Sequence, residues 1–377
     1  MTSLDLSTLR RWPDVEAENL FAYDASDRLI LDLARPFIDG ARLAVIGDNY
    51  GALTLGSGAH DVRVHQDDLV GERALAANAA GVEYSSHPLG ESLLAGATLV
   101  LMQVPRSLDE LDEQLAMIAR YADPSVTVVA GGRIKHLTPT MNPLMLRYFE
   151  SLDVSLAQHK SRGFTLRGVI PQSQPWLPKT QFHSDLGLWV AAHGGVFAGT
   201  SIDMGTRLLL GALNGGALNN GALKGAEVTS GTAIDLGCGT GVLASALARS
   251  NPGMRVIATD QSAAALASAA LTAELNGLAD RVELVRDDCL ESQQSESVDR
   301  IVLNPPFHIG STVHTGVALR MVDDAARVLR VGGQLWTVFN THLGYRQALA
   351  RMVGPTDLVT HNAKFTVTVS RKIATKD

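Results

Sequence analysis

The residues Ala233-Ile234-Asp235-Leu236-Gly237-Cys238-Gly239-Thr240-Gly241 predict a short apolar strand that runs into a glycine-rich turn. A helix is expected to begin just after the turn, near Val242. Alternating glycines let the backbone turn sharply and come close to a ligand, because no Cβ stands in the way. Strand, turn and helix together predict an α/β domain that holds a small molecule against the turn.

Two further strands of this half of the chain end in acidic residues. Val256–Asp260 predicts a second strand, and its terminal acid can accept hydrogen bonds from both hydroxyls of a ribose. Val282–Val285 predicts a third strand, which leads to Asp287, Asp288 and Cys289. An Asp at that point can accept from the amino group of an adenine. The predicted ligand is therefore a nucleoside cofactor.

A fourth strand ends in the run Asn304-Pro305-Pro306-Phe307-His308. The two prolines end the strand, because neither can donate a hydrogen bond to the ladder, and they fix the direction of the Pro305 carbonyl. The Asn304 amide oxygen and this carbonyl form a pair of acceptors, beside which Phe307 offers an aromatic face. Such a set suits a flat ring that carries an exocyclic NH2 group, whose lone pair it would aim at an electrophile.

Taken together, these motifs resemble the class I S-adenosylmethionine-dependent methyltransferases. The stretch 197–205, the glycine turn and the Asn-Pro-Pro-Phe-His run resemble the ribosomal RNA guanine-N2 methyltransferases. Within that family the chain is most similar to large-subunit (23S) enzymes with a duplicated methyltransferase domain. The resemblance implies methyl transfer from S-adenosylmethionine to the N2 of a guanine in ribosomal RNA or a ribosomal subunit precursor.

The resemblance also assigns site residues. Methyl transfer would rest on Asn304, Pro305, Pro306 and Phe307. The cofactor would be bound by Asp235, Gly237, Gly239, Gly241, Asp260, Asp288, Cys289 and Asn304.

Several assignments within this site stay open in the sequence. Asp288 is favoured over Asp287 for the adenine, which leaves Asp287 as a solvated turn acid. Asp235 is expected to anchor the turn, or the methionine amino group through a water, rather than to carry a proton. Phe197 shapes the cofactor pocket or fills the core. His308 contacts the base or makes a structural hydrogen bond.

The first half of the chain repeats the strand pattern without its chemistry. Leu43–Ile46, Val62–His65 and Thr98–Gln103 match the strands that precede Gly237, Asp260 and Asn304. Their ends carry Gly47-Asp48-Asn49-Tyr50-Gly51 and Gln103-Val104-Pro105, which would crowd a cofactor and lack the Asn-Pro-Pro clamp. The predicted fold class is therefore α/β, with two tandem Rossmann-like methyltransferase domains whose sheets are parallel and of which the N-terminal one is degenerate.

The proline-rich stretch 171–178 places the domain junction between residues 1–175 and 176–377. The first domain would either recognise RNA or serve only as structural support. In the second domain we expect a hairpin of 185–190 with 195–197, a helix over 203–213, a loose connection over 214–231 and a helix over 317–329.

Composition limits the partners. The chain has 377 residues, 46% of them hydrophobic and 19% charged, which is enough for two cores and argues against disorder. A net charge of −7 excludes a generally basic nucleic-acid binder, so any RNA contact must be local. Candidates are Arg133 with Lys135, Lys160 with Arg162 and Arg167, and Arg371 with Lys372.

Neither a membrane span nor a metal-binding spacing is apparent, and two cysteines do not make a disulfide framework. We expect a cytoplasmic protein that contains no metal. The oligomeric state is open, with a monomer as the working expectation.

Two other classes of function stay open. The same clamp serves amino methyltransferases that act on 16S rRNA guanine, on adenine N6 or on protein glutamine. A non-catalytic RNA-binding assembly factor is the third possibility, against which the intact glycines and Asn304 argue.

Overall fold

The protein folds into two compact α/β units. The structure, a computed structural model, describes residues 4–213, 230–306 and 312–374. Unit 1 consists of Met1–Pro178 with His193–Gly195, and unit 2 of Lys179–Ala192 with Val196–Asp377. Unit 1 thus runs to Pro178 rather than to residue 175.

Unit 1 is built on a seven-stranded sheet in the order β3-β2-β1-β4-β5-β7-β6. Its strands are β1 (Leu43–Ile46), β2 (Val62–His65), β3 (Tyr84–Ser86), β4 (Leu99–Gln103), β5 (Thr127–Arg133), β6 (Phe149–Val154) and β7 (Ser161–Val169). Its helices are α1 (Ala25–Ala34), α2 (Ala52–Gly56), α3 (Leu69–Asn78), α4 (Glu91–Leu94), α5 (Leu108–Tyr121) and α6 (Met141–Met145). Apolar side chains of α1, α2 and α3 form one core, and those of α4, α5 and α6 form a second.

Unit 2 repeats this arrangement, with the order β12-β11-β10-β13-β14-β16-β15. A hairpin of β8 (Lys179–His183) and β9 (Leu188–Ala192) precedes the sheet, whose strands are β10 (Ser230–Leu236), β11 (Gly253–Asp260), β12 (Val282–Arg286), β13 (Val298–Leu303), β14 (Leu329–Asn340), β15 (Thr356–His361) and β16 (Phe365–Arg371). The helices are α7 (Met204–Gly211), α8 (Val242–Ser250), α9 (Ala263–Leu275), α10 (Thr312–Val328) and α11 (Arg346–Met352). Leu243 and Ala269 belong to one core, and Met321 and Leu349 to the other.

Both sheets therefore follow the same strand order, which confirms the predicted α/β class with Rossmann-like sheets. The expectation of wholly parallel sheets was wrong in one respect. β7 runs antiparallel to both of its neighbours, and so does β16. In unit 1, β7 is inserted between β5 and β6. In unit 2, β16 is inserted in the same way between β14 and β15.

Several local predictions need correction. The predicted hairpin pairs β9 with β8, whereas residues 195–197 form no strand. The helix expected over 203–213 is regular over α7, with Asp203 as its N-cap, and the helix expected over 317–329 already begins at Thr312. Most of the loose connection predicted over 214–231 lies outside the described residues, but Ser230 and Gly231 begin β10.

Candidate active site

Three of the sequence motifs meet at one edge of the sheet in unit 2. β10, β11 and β13 are parallel neighbours, so their carboxyl ends lie side by side. Leu236 is in register with Thr259 on one side and with Leu303 on the other. The glycine turn after β10 is therefore flanked by Asp260 and by Asn304. In open α/β sheets, the carboxyl edge is where ligands bind.

The glycine turn has a backbone that only glycine adopts easily. Gly237, Gly239 and Gly241 have φ values of 71°, 52° and 73°. A Cβ on Gly241 would lie 2.8 Å from the Cβ of Ala269 and 2.9 Å from its Cα, which belongs to α9. A Cβ on Gly239 would meet nothing within 4 Å. Gly241 thus allows α8 and α9 to pack, while Gly239 borders open space.

Asp235 lies beneath the turn and is buried. Its Oδ2 accepts a hydrogen bond from the amide of Ala244 at 2.8 Å, which ties β10 to the first turn of α8. Its Oδ1 is also buried, and it has no hydrogen-bond partner among the described residues. Desolvation raises the pKa of Asp235 to about 7, against the lowering effect of the Ala244 amide, and Asp260 raises it further. The site therefore contains a buried acceptor that lacks a donor.

Asp260 ends β11 and faces the turn. Its Oδ2 accepts from the amide of Gly239 at 3.0 Å, and its Oδ1 accepts from the amide of Ser262 at 3.0 Å. An ionised carboxylate has about four acceptor positions. These two bonds fix the orientation of Asp260 beside the turn.

The acids after β12 differ from what the sequence predicted. Asp287 is 2% exposed and accepts from the amide and hydroxyl of Ser292, so the interpretation as a solvated turn acid was wrong. Desolvation raises its pKa. Asp288 is also buried, and its Oδ1 accepts from the guanidinium of Arg320 on α10.

The two cysteines lie close to the acids of this edge. Burial raises the pKa of Cys289 to about 12 and that of Cys238 well above its usual value. The raised pKa values favour protonated thiols at neutral pH, which argues against a thiolate nucleophile at either position.

Asn304 follows β13 and is held by the start of α7. Its Nδ2 donates to Oδ2 of Asp203 at 3.2 Å and to Oγ1 of Thr206 at 2.9 Å. Pro305 is buried and Pro306 exposed. The proposed stacking residue Phe307 and its neighbour His308 lie outside the described residues.

Asp203 and Thr206 received no role in the sequence analysis. The available signal was Asp203 three residues before Thr206 at a helix start, which indicates an N-cap but not a contact with Asn304. Phe197, for which filling the core was one interpretation, has an exposed side chain, so that interpretation was wrong.

Unit 1 carries different side chains at the matching strand ends. By register, Val45 stands where unit 2 has Asp235, Gln66 where it has Asp260, and Gln103 where it has Asn304. Gln66 donates to the backbone oxygen of Asn49, within the turn that follows β1. The carboxylate of Asp48 is buried and accepts from two amides of α2. The Asp48 carboxylate and the Gln66 amide nitrogen are therefore bound to the protein itself.

The predicted basic groups of unit 1 are rearranged in the structure. The amide of Ile134 donates to the backbone oxygen of Lys160, and Gly132 is in register with Arg162, so Lys135, Lys160 and Arg162 lie near one another. Arg106, Lys135 and Arg133 all depress the pKa of His136, after the larger effect of burial. Arg167 instead pairs with Asp153 at 2.9 Å and lies over the ring of Phe37. Arg167 thus lies five residues beyond Arg162 on β7, and its contact with RNA stays a prediction.

Two other features bear on the class of protein. Among the helices of the described ranges, none is both long and apolar enough to cross a bilayer. No cluster of three or more His, Cys, Asp or Glu side chains with a metal-binding arrangement occurs in the part of the chain that the structure describes.

The fold and the glycine-turn edge define an α/β protein of the Rossmann-like methyltransferase class. Residues 187–369 match the family model of the methyltransferase small domain, and residues 1–168 match the RLMG N-terminal domain. The chain belongs to the family of the ribosomal RNA large subunit methyltransferases G.

Two relatives establish this membership. The chain is 33% identical to the ribosomal RNA large subunit methyltransferase G of Streptomyces avermitilis, with 95% of each chain covered. It is 34% identical to the protein of the same name from Pseudomonas fluorescens, with 97% of each covered. A solved 16S rRNA N2 methyltransferase of T. thermophilus, in complex with AdoMet and guanosine, has the same fold, with a TM-score of 0.75, 23% identity and coverage of 93% of this chain and 92% of that one.

Proposed function

We propose that this chain transfers a methyl group from S-adenosylmethionine to the exocyclic N2 of a guanine in 23S ribosomal RNA. One observation carries the proposal. Asn304 follows the strand adjacent to the glycine turn, so an amine acceptor and a cofactor turn share one edge of the sheet. The family named above supports both the reaction and the large-subunit substrate.

The residues of unit 2 fit the proposed cofactor. The buried Oδ1 of Asp235 lacks a donor among the described residues, which the methionine amino group would supply directly or through a water. Asp260 is held against the turn by the Gly239 amide, where its carboxylate would accept from the ribose hydroxyls, and the open space beside Gly239 admits the cofactor to the turn. Asp288 and Cys289 would border the adenine. S-adenosylmethionine bound in this way supplies an electrophilic methyl group.

The contribution of the protein is to orient the amine. A guanine N2 lone pair is delocalised into the ring and is a poor nucleophile. Asn304 Oδ1 and the Pro305 carbonyl would each accept a hydrogen bond from one N–H of this amine. The nitrogen would thereby become more tetrahedral, with its lone pair directed at the methyl group of the cofactor. Phe307 would stack on the base, which must leave its own stack to enter the site. The methylated amine is acidic while it carries positive charge, so no strong base is required.

The direct test is the chemical identity of the product. The full-length protein would be incubated with S-adenosylmethionine and either unmodified 23S rRNA or large subunits, and the RNA digested for nucleoside mass spectrometry. We expect N2-methylguanosine. N6-methyladenosine in the RNA, or methylated glutamine in protein, would contradict the proposal. Binding of RNA without any methyl transfer would support an assembly factor instead.

Unit 1 is proposed to be a degenerate methyltransferase domain that recognises RNA. Two observations support its degeneracy. Val45 and Gln66 lack the carboxylates that unit 2 carries at the matching positions. The carboxylate of Asp48 accepts from two amides of α2. RNA recognition is supported by a basic surface, which we define as Arg106, Arg133, Lys135, Lys160 and Arg162. A cytoplasmic location would follow from the ribosomal substrate, and a monomer remains the working proposal.

The basic surface predicts a salt-dependent RNA affinity. Lys135, Lys160 and Arg162 are exposed, and each phosphate contact they lose should make the slope of log affinity against log salt shallower by about 0.7–0.9. The triple alanine variant should therefore bind RNA more weakly, with a slope shallower by roughly two units. The measurement is RNA affinity of the full chain across a salt series. Arg167→Ala is the matched control, because its charge is paired with Asp153. Equal effects of the triple variant and the control would count against this surface.

A further inference from the structure

The side-chain amide of Asn304 is bound at one end only. Its nitrogen donates to Asp203 and Thr206, at 3.2 and 2.9 Å. In the part of the chain that the structure describes, its oxygen accepts no hydrogen bond. The amide therefore offers an acceptor, rather than a donor, to whatever lies beside it.

The chemistry of the two partners dictates this orientation. The carboxylate of Asp203 can only accept. Its Oδ1 accepts from the amide of Gly205 at 2.8 Å, and its Oδ2 accepts from the hydroxyl of Thr206. Because the Thr206 hydroxyl donates its only proton to Asp203, its oxygen accepts the hydrogen bond from Asn304 Nδ2. A rotated amide would bring its oxygen against the Asp203 carboxylate and the Thr206 oxygen, which is repulsive.

We propose that Asp203 and Thr206 are positioning residues for methyl transfer. They would hold the amide of Asn304 with its oxygen available to the substrate amine, and neither would touch the substrate. This inference rests on the proposed function, since it assumes that Asn304 orients an exocyclic amine. It adds that the start of α7, about one hundred residues upstream, determines which end of the Asn304 amide the substrate meets.

Unit 1 contains the same arrangement with the oxygen blocked. Gln103 ends β4 as Asn304 follows β13, and its Nε2 donates to Asp27, three residues after the N-cap Asp24. Here, however, the Ser26 hydroxyl, which donates to Oδ1 of Asp24, lies 3.2 Å from the Gln103 amide oxygen and occupies the space beside it. The residue that matches Ser26 in unit 2 is Gly205, which has no side chain. We infer that glycine at this position keeps the Asn304 oxygen free.

Thr206 gives the cleaner of two tests. Thr206→Val keeps the shape of the side chain and removes the hydroxyl, so the single-turnover methylation rate should fall about tenfold. Thr206→Ser restores a hydroxyl and should recover most of that rate. Affinity for S-adenosylhomocysteine, measured by calorimetry, should stay unchanged in both. Ser262→Ala is the control for helix capping, because Ser262 caps α9 without contacting Asn304.

Substitutions at Gly205 test directly whether the Asn304 oxygen must stay accessible. Gly205→Ser would introduce the hydroxyl that Ser26 provides in unit 1, and should lower the rate about tenfold further than Gly205→Ala. The alanine variant controls for crowding, because a Cβ there would lie 3.0 Å from Asp203 Oδ1 and 3.3 Å from a ring carbon of Phe365.

The outcomes separate this inference from the proposed function. If the wild-type protein produces no N2-methylguanosine, the proposed function fails. The positioning role is overturned if the wild-type protein does produce N2-methylguanosine but neither variant loses rate against its control. That outcome means that Thr206→Val is as fast as Thr206→Ser and that Gly205→Ser is as fast as Gly205→Ala. Equal loss of rate in Thr206→Val and Thr206→Ser would also overturn it, because a change that the hydroxyl does not repair reports only on packing.

Discussion

Asn304→Ala is expected to reduce the single-turnover rate of methyl transfer about 10²–10³-fold, because one preorganised polar contact to the reacting group commonly contributes that much. The affinity for S-adenosylhomocysteine should stay nearly unchanged, since Asp260 holds the glycine turn while the Asn304 amide is held by Asp203 and Thr206. The measurement combines rapid-quench methylation of RNA with calorimetry. The two readouts separate orientation of the amine from binding of the cofactor.

Two further variants sharpen this test. Asn276→Ala removes an amide that, among the described residues, bonds to backbone groups of β9 and α9, and should keep the wild-type rate. Asn304→Asp would place a second carboxylate against that of Asp203, so it should be at least as inactive as the alanine variant. A wild-type rate in Asn304→Ala would show that the amide does not orient the amine.

Asp235→Asn is expected to weaken binding of S-adenosylhomocysteine about tenfold to a hundredfold, which is the range for a hydrogen bond to a charged group. The asparagine oxygen would be taken by the Ala244 amide, so its NH2 group would face the cofactor amine in place of a carboxylate. Asp287→Asn is the matched control, because that buried acid is bonded to Ser292.

The same residue makes the affinity depend on pH. Burial raises the pKa of Asp235 to about 7, so in the free protein a proton occupies the carboxylate below that pH. The cofactor amine requires the ionised form, and affinity should therefore rise with pH through about 7 and level off above it. Below the pKa the affinity should change about tenfold per pH unit, and Asp235→Asn should flatten the profile.

Calorimetry from pH 6 to 8 tests this dependence and counts the sites at the same time. One cofactor per chain is expected, bound by unit 2. A pH-independent affinity in the wild type would contradict the role of Asp235. Two tight sites per chain would contradict the proposed degeneracy of unit 1.

The fold class and the location of the candidate site could both be predicted from the amino-acid sequence. The apolar strands before Gly237, Asp260 and Asn304 are short, buried and separated by helices, which forces parallel pairing. Parallel strands bring their carboxyl ends to one edge, so residues far apart in the chain could be predicted to meet there. The doubled pattern was visible for the same reason, because unit 1 repeats the strands even though it lacks the chemistry.

The pairing of polar groups, in contrast, could be seen only in the folded structure. Nothing in local sequence shows that Asp203 holds Asn304, that Arg167 pairs with Asp153, or that Asp287 is buried. These contacts depend on register and on the packing of helices against strands. Periodicity and turn chemistry act over a few residues, whereas a hydrogen bond between distant groups depends on their final positions to within an ångström.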